Sequence, residues 1–233
     1  MIRKIKQLVF ALMERSPFFE KLVNMVLPLR AYFLKRKKNR IFLKKGGDVL
    51  AGFKAALDRE NLKFWLTCGT LLGAYREHAL LGHDLDLDVA MFASDMEKAH
   101  AALVAGGFEL ENEFGVVGED IKERSYRCQD VKIDIFFVEE TEEHFLAHVF
   151  FREKESSRTD DFKVIQIFFP RMGFKEYEFL GNRFLVPDDT ERYLAANYGP
   201  NFMTPDKKWD YRKDIPCAKY YDLEEKRGFW RYN

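Results

Sequence analysis

A chain of 233 residues with 47% hydrophobic and 15% aromatic content is long enough for one large packed domain, and its composition excludes extended disorder. Its 38 Lys/Arg and 38 Asp/Glu cancel, but unevenly: residues 1–45 carry 13 basic residues against Glu14 and Glu20, net +11, and the remainder is net −11. An acidic body of this kind argues against a nucleic-acid partner, which would need a basic groove.

The first 45 residues read as a basic amphipathic helical extension. Ile2, Ile5, Leu8, Val9 and Leu12 share a helical face, and Ser16-Pro17 is a cap followed by proline at the first helical position. Pro28 is expected to interrupt the helix, and the cluster Lys35-Arg36-Lys37-Lys38 with Arg40 follows. This composition suits an anionic membrane surface. Leu8–Met13 is a six-residue apolar run, too short for a bilayer span and without the cleavage site of a signal peptide. A location in the cytoplasm, peripheral at the inner face of a membrane, is therefore expected. The spacing of Cys68, Cys128 and Cys217 offers neither a disulfide framework nor a zinc site, which fits a reducing compartment.

Gly46-Gly47 is expected to break the helical pattern and start a second domain, residues 46–233. Asp48 would cap a helix to about Asn61, with Val49, Leu50, Phe53, Ala56 and Leu57 on its apolar face. Phe64–Thr67 reads as a first core strand. Ser94 or Asp95 caps a helix through Val104, closed by Gly106-Gly107. Strands are then expected at 108–111, 125–127, 131–138, 145–152, 162–169 and 177–186, the last folded at a Gly181-Asn182 hairpin turn. Asp188 or Asp189 caps a final helix, which stops at Gly199-Pro200, and the tail from Asn201 shows no periodicity. Helices and strands mix without regular βαβ alternation, so the expected class is α+β.

The residues that carry chemistry cluster in TCGTLLGAYREHALLGHDLDLDVAMF, residues 67–92. Asp84, Asp86 and Asp88 alternate with Leu85, Leu87 and Val89, so the three carboxylates share one strand face. Such neighbours repel by about 1–3 kcal/mol per pair at intermediate dielectric, a cost that a bound cation removes. Gly69-Thr70 lies at a strand-to-helix turn, where free backbone N–H groups and a hydroxyl suit a phosphate. Arg76, one to two turns later, is placed to meet the same anion. Asp134 stands alone on the opposite face of a strand from Val131, Ile133, Ile135 and Phe137, and a buried carboxylate there calls for a partner or a metal. Oxygen donors in this number suit Mg²⁺ or Mn²⁺. Asp134 is a candidate for a second metal or for the acceptor's proton.

This motif, with the close FLVPDDTERYLAANYGPNFMTP, resembles the LicD family of phosphocholine transferases and fukutin-type proteins, from about Asp48 to Lys208. The resemblance implies a nucleotidyltransferase-like mixed sheet flanked by helices. It places the phosphate turn at Gly69-Thr70, the metal pair at Asp86 and Asp88, and the third carboxylate at Asp134. It further implies transfer of a phospho-alcohol from a CDP-alcohol donor to a glycan acceptor, lipid-linked in keeping with the basic head. The alternative is transfer of a nucleotide from an NTP with release of pyrophosphate. The family's loop commonly begins Pro-Trp-Asp where this chain has Gly82-His83-Asp84, which makes His83 a candidate substrate contact and Asp84 a supporting residue.

Overall fold

The computed structural model describes residues 17–154 and 158–232, with side chains from Arg30 onwards. The expected helix over residues 2–12 therefore lies outside the described residues. Helix α1 runs without a break from Pro17 to Asp58, 42 residues and about 63 Å at 1.5 Å per residue. The interruption at Pro28 and the break at Gly46-Gly47 are thus corrected. A helical glycine costs roughly 1 kcal/mol relative to alanine, but here it permits close packing. A Cβ on Gly46 would stand 2.7 Å from Leu80 Cδ1, and one on Gly47 3.4 Å from Leu180 Cδ1. Asp48 lies inside α1 rather than capping a new helix. Phe42, Val49, Leu50, Phe53, Ala56 and Leu57 form its buried face, as the spacing predicts from Val49 onwards.

Strand β1 (Trp65–Leu66) leads into α2 (Cys68–Arg76), β2 (Asp86–Phe92) and α3 (Met96–Ala105). Then follow β3 (Glu109–Val116), β4 (Ile121–Cys128), β5 (Val131–Glu140), β6 (His144–Phe151) and β7 (Phe162–Pro170). The hairpin β8 (Phe174–Phe179) and β9 (Asn182–Pro187) precedes α4 (Thr190–Tyr198). Two strands lie in the tail that lacked periodicity, β10 (Ala218–Tyr221) and β11 (Arg227–Tyr232). The β8–β9 turn sits one residue earlier than expected, at Leu180 (φ 48°) and Gly181 (φ 74°), two positive angles in a row as a primed turn needs.

The strands join in one mixed sheet, which confirms the α+β class. β2 and β5 run parallel, and so do β1 and β9; the remaining pairs are antiparallel. Because β6 bridges β5 and β7 while β11 bridges β7 and β3, the strands β3, β4, β5, β6, β7 and β11 close into a ring. The main core lies between the sheet and the helices, where Leu87, Val89, Ile133, Ile135 and Phe137 meet the buried face of α1 with α3. The opposite face of β2 and β5 carries Asp86, Asp88, Lys132 and Asp134 at its start and Ala90, Phe92, Phe136 and Val138 beyond. Among the described residues no helix is long and apolar enough to cross a membrane.

Candidate active site

The centre of the site is built by stitching the start of α2 to β2. The Thr67 amide donates to Asp88 O at 3.3 Å. The Gly69 amide donates to Asp88 Oδ2 at 2.9 Å, and the Asp88 amide donates to Thr70 Oγ1 at 2.8 Å. The two groups expected to meet a phosphate are thus engaged with Asp88 here, and Thr70 is buried. A Cβ on Gly69 would lie 2.6 Å from Asp84 Oδ2 and 3.0 Å from Asp88 Oδ2, so glycine alone leaves room for both carboxylates. Asp84 is therefore drawn into the centre, closer than a purely supporting role implied.

Strand register assembles the rest. On the parallel pair Asp86 stands opposite Lys132 and Asp88 opposite Asp134, while Ser125 on β4 stands opposite Asp134. These five side chains share one face of the sheet. Lys132 Nζ lies 2.6 Å from Asp134 Oδ2 and 3.6 Å from Asp86 Oδ2. Burial raises the Asp88 pKa well above the ordinary carboxylate range, helped by the charges of Asp86, Asp134 and Asp84. Burial also raises that of Asp134, against the opposing pull of Lys132. Asp84 is pushed up to about 6 by burial, with His83 working the other way. For Lys132, burial disfavours the ammonium, but Asp134 and Asp86 outweigh it and raise its pKa.

Glu123 was not singled out from the sequence. It sits on β4 opposite Phe136, is 8% exposed, and is pushed up to about 8 by burial and by the Asp134 charge. The available signal was its spacing of two from Ser125, which turns both residues to the same face as Asp134. Asn39 was also passed over: from α1 its amide donates to Gly82 O at 3.0 Å and to Asp84 O at 2.8 Å, fixing the loop that carries His83.

Beside the carboxylates opens a cavity of about 990 Å³, walled by Gly69, Arg76, His83 and Asp84 on one side and by Lys207 and Trp209 on the other. Arg76 Nη1 donates to Phe202 O at 3.2 Å and its Nη2 meets Glu77 Oε1 at 2.9 Å, while its Nε is buried without a partner. Trp209 Nε1 is likewise buried without a partner. Both N–H donors are buried behind the cavity wall, and neither has a partner among the described residues. His83 is exposed, with Nε2 3.6 Å from Asp84 Oδ1. His78 stands apart against Tyr177 OH, 3.3 Å from its Nδ1. Tyr193 is core, stacked on Phe169 at 4.1 Å. The three cysteines are free thiols.

Among the described residues, no three His, Cys, Asp or Glu side chains converge tightly enough, as they stand, to enclose an ion. The donor set nevertheless fits a hard divalent cation. Asp134 Oδ1 is buried with no hydrogen-bond partner. Asp86, with 37% of its side chain exposed, faces solvent beside it, and the nearby donors are all carboxylate oxygens.

A polar face with paired carboxylates beside a glycine turn at a helix start is the pattern expected of a nucleotidyltransferase domain. The model of the LicD/FKTN/FKRP nucleotidyltransferase domain matches residues 61–189, and the chain belongs to that family. The chain is 32% identical over 178 residues to the ribitol-5-phosphate transferase FKTN of Mus musculus, covering 76% of this chain and 37% of the relative. With FKTN of Homo sapiens the identity is 30% over 177 residues, covering 75% of this chain and again 37% of the relative. The chain thus spans little more than a third of the length of these relatives. Among solved structures, ANT(2")-Ia in complex with adenylyl-2"-tobramycin aligns with a TM-score of 0.35 and 14% identity, over 50% of this chain and 60% of that one.

Proposed function

We propose that this chain is a metal-dependent transferase that moves a phospho-alcohol (phosphocholine or a polyol phosphate such as ribitol phosphate) from a CDP-activated donor to a glycan hydroxyl. The observation that carries this reading is the set Asp86, Asp88 and Asp134, in register on one sheet face, with Asp88 held by Gly69, which together with Asp84 lines a cavity of about 990 Å³. That volume lies at the upper end of the range typical of ligand pockets. The relatives named ribitol-5-phosphate transferase support the choice of reaction.

Asp86 and Asp88 would hold Mg²⁺ or Mn²⁺, which supplies positive charge to the donor's diphosphate. Arg76 and Trp209, which line the cavity, bind and orient the donor there, and His83 contacts it at the mouth. The acceptor hydroxyl oxygen forms a bond to the phosphorus that bears the alcohol. The bond from that phosphorus to the bridging oxygen breaks, and CMP leaves with the electron pair. Asp134 takes the hydroxyl proton through its unpartnered oxygen. The exposed basic stretch Lys35–Arg40 would keep the chain at the inner face of an anionic membrane, near a lipid-linked acceptor.

The test uses the full chain with CDP-ribitol, CDP-choline, CDP-glycerol or NTPs, with and without Mn²⁺, and a glycan acceptor. One CDP-alcohol should raise the melting temperature and yield CMP. Asp88→Asn and Asp134→Asn should each lower turnover by roughly 10²–10³-fold, the scale for removing one group that stabilises a transition state. Pyrophosphate release from an NTP would establish the nucleotidyltransferase reading instead, and unchanged turnover in both variants would remove these aspartates from the mechanism.

A further inference from the structure

Within the polar face the ammonium of Lys132 is set among carboxylates, and the proposed chemistry gives it no role. It is part of the site by construction, since it leaves β5 on the same face as Asp134 and opposite Asp86 in register. Its Nζ touches Asp134 Oδ2 at 2.6 Å and reaches Asp86 Oδ2 at 3.6 Å, so it joins the carboxylate of one strand to that of the next. In two-metal phosphoryl-transfer sites that bridging place is taken by a second divalent ion roughly 3.5–4 Å from the first. The second oxygen of Asp134 stays buried and unpartnered, while Asp88 is fixed on the far side by the Gly69 amide.

We propose that Lys132 is a built-in substitute for the second metal, so that the site accepts one divalent ion, on the Asp86–Asp88 side, and draws its other positive charge from the protein. This rests on the metal-dependent reading above. A fixed ammonium between Asp86 and Asp134 repels a second divalent ion by direct charge and occupies the oxygens that ion would need. It engages only one oxygen of Asp134, so the other is not committed to the ammonium. Sequence spacing already contained the arrangement: Lys-x-Asp on one strand beside Asp-x-Asp on its parallel neighbour gives one cation facing three carboxylates.

The test counts ions. The intact chain is titrated with Mn²⁺, and free and bound ion are followed by electron paramagnetic resonance, for wild type, Lys132→Met, Lys132→Arg and Asp88→Asn. The proposal expects one Mn²⁺ per wild-type chain with the spectrum of an isolated ion, and one for Lys132→Arg, which keeps the charge. Lys132→Met should bind two, with the broadening of a spin-coupled pair. Should Lys132→Met fail to fold by circular dichroism, Lys132→Gln replaces it. Two ions in wild type, or a single ion in the folded neutral variant, would overturn the proposal while leaving the metal-dependent reading intact. No bound ion in wild type, with Asp88→Asn indistinguishable from it, would overturn both.

Discussion

At the residue scale, Gly69 is the glycine whose missing side chain makes room for the carboxylates of the site. A methyl there would sit 2.6 Å from Asp84 Oδ2 and 3.0 Å from Asp88 Oδ2. Both are ends of side chains that can swing away, so the fold should tolerate alanine while the carboxylates do not keep their places. Gly69→Ala is expected to lower CMP release at least about 10²-fold, the scale of a 1 Å misplacement, with a thermal midpoint close to wild type. A variant that retains normal turnover would show that Asp84 and Asp88 need not be drawn together. Asp86, Asp88 and Asp134 were legible in the sequence because strand alternation alone assigns their face. Asn39 and Trp209 were not, because a hydrogen bond from α1 to a loop 43 residues away, or an indole brought to the cavity by an irregular tail, leaves no periodic trace.

At the scale of elements, β3 and β4 were read too short because their polar faces are laced with charge. Arg124 pairs with Glu113 at 2.8 Å and Arg127 with Glu111 at 2.7 Å across the two strands. Paired charges satisfy a strand as well as apolar alternation does, yet look like loop in a sequence. The strands β6 and β7 enclose another polar group, His148, 1% exposed. Its Nε2 lies 3.0 Å from Gln166 Nε2, and Gln166 Oε1 accepts from Tyr221 OH at 2.6 Å. With its carbonyl oxygen taken, the Gln166 amide donates, and the imidazole must accept as the neutral ring. Burial, reinforced by Lys122 and Lys226 and opposed by Glu139 and Glu119, pushes His148 down to about 4. The unfolded chain, with its histidine near 6.5, takes up the proton first as pH falls. The stabilisation is therefore complete above pH 6.5 and is lost toward pH 4, amounting to about 2 kcal/mol by pH 5. Urea midpoints at pH 7.5 and 5 should differ more for wild type than for His148→Gln. That difference isolates the histidine from the buried carboxylates, whose raised pKa values act in the opposite direction.

At the scale of the whole molecule, α1 carries an exposed segment in which Tyr32, Phe33 and Leu34 are about half exposed and directly precede Lys35–Lys38. The full chain should sediment with phosphatidylserine-containing vesicles, not with neutral ones, and be released at high salt. Replacing Lys35, Arg36, Lys37 and Lys38 by alanine should weaken binding by about 10²–10³-fold, at roughly 1 kcal/mol per basic residue. Equal binding to neutral vesicles would assign the segment to another partner. Charge and composition made this head look separable from the body at residue 45, but the backbone is continuous there, and Phe42 is already core. Asn39 lies further back still, holding the carbonyls of Gly82 and Asp84. The smallest transplantable unit of this site thus begins upstream of the change in charge. A chimera joined at residue 46 would inherit every aspartate yet leave the His83 loop without its tether, so swaps among relatives should place their junction before Asn39.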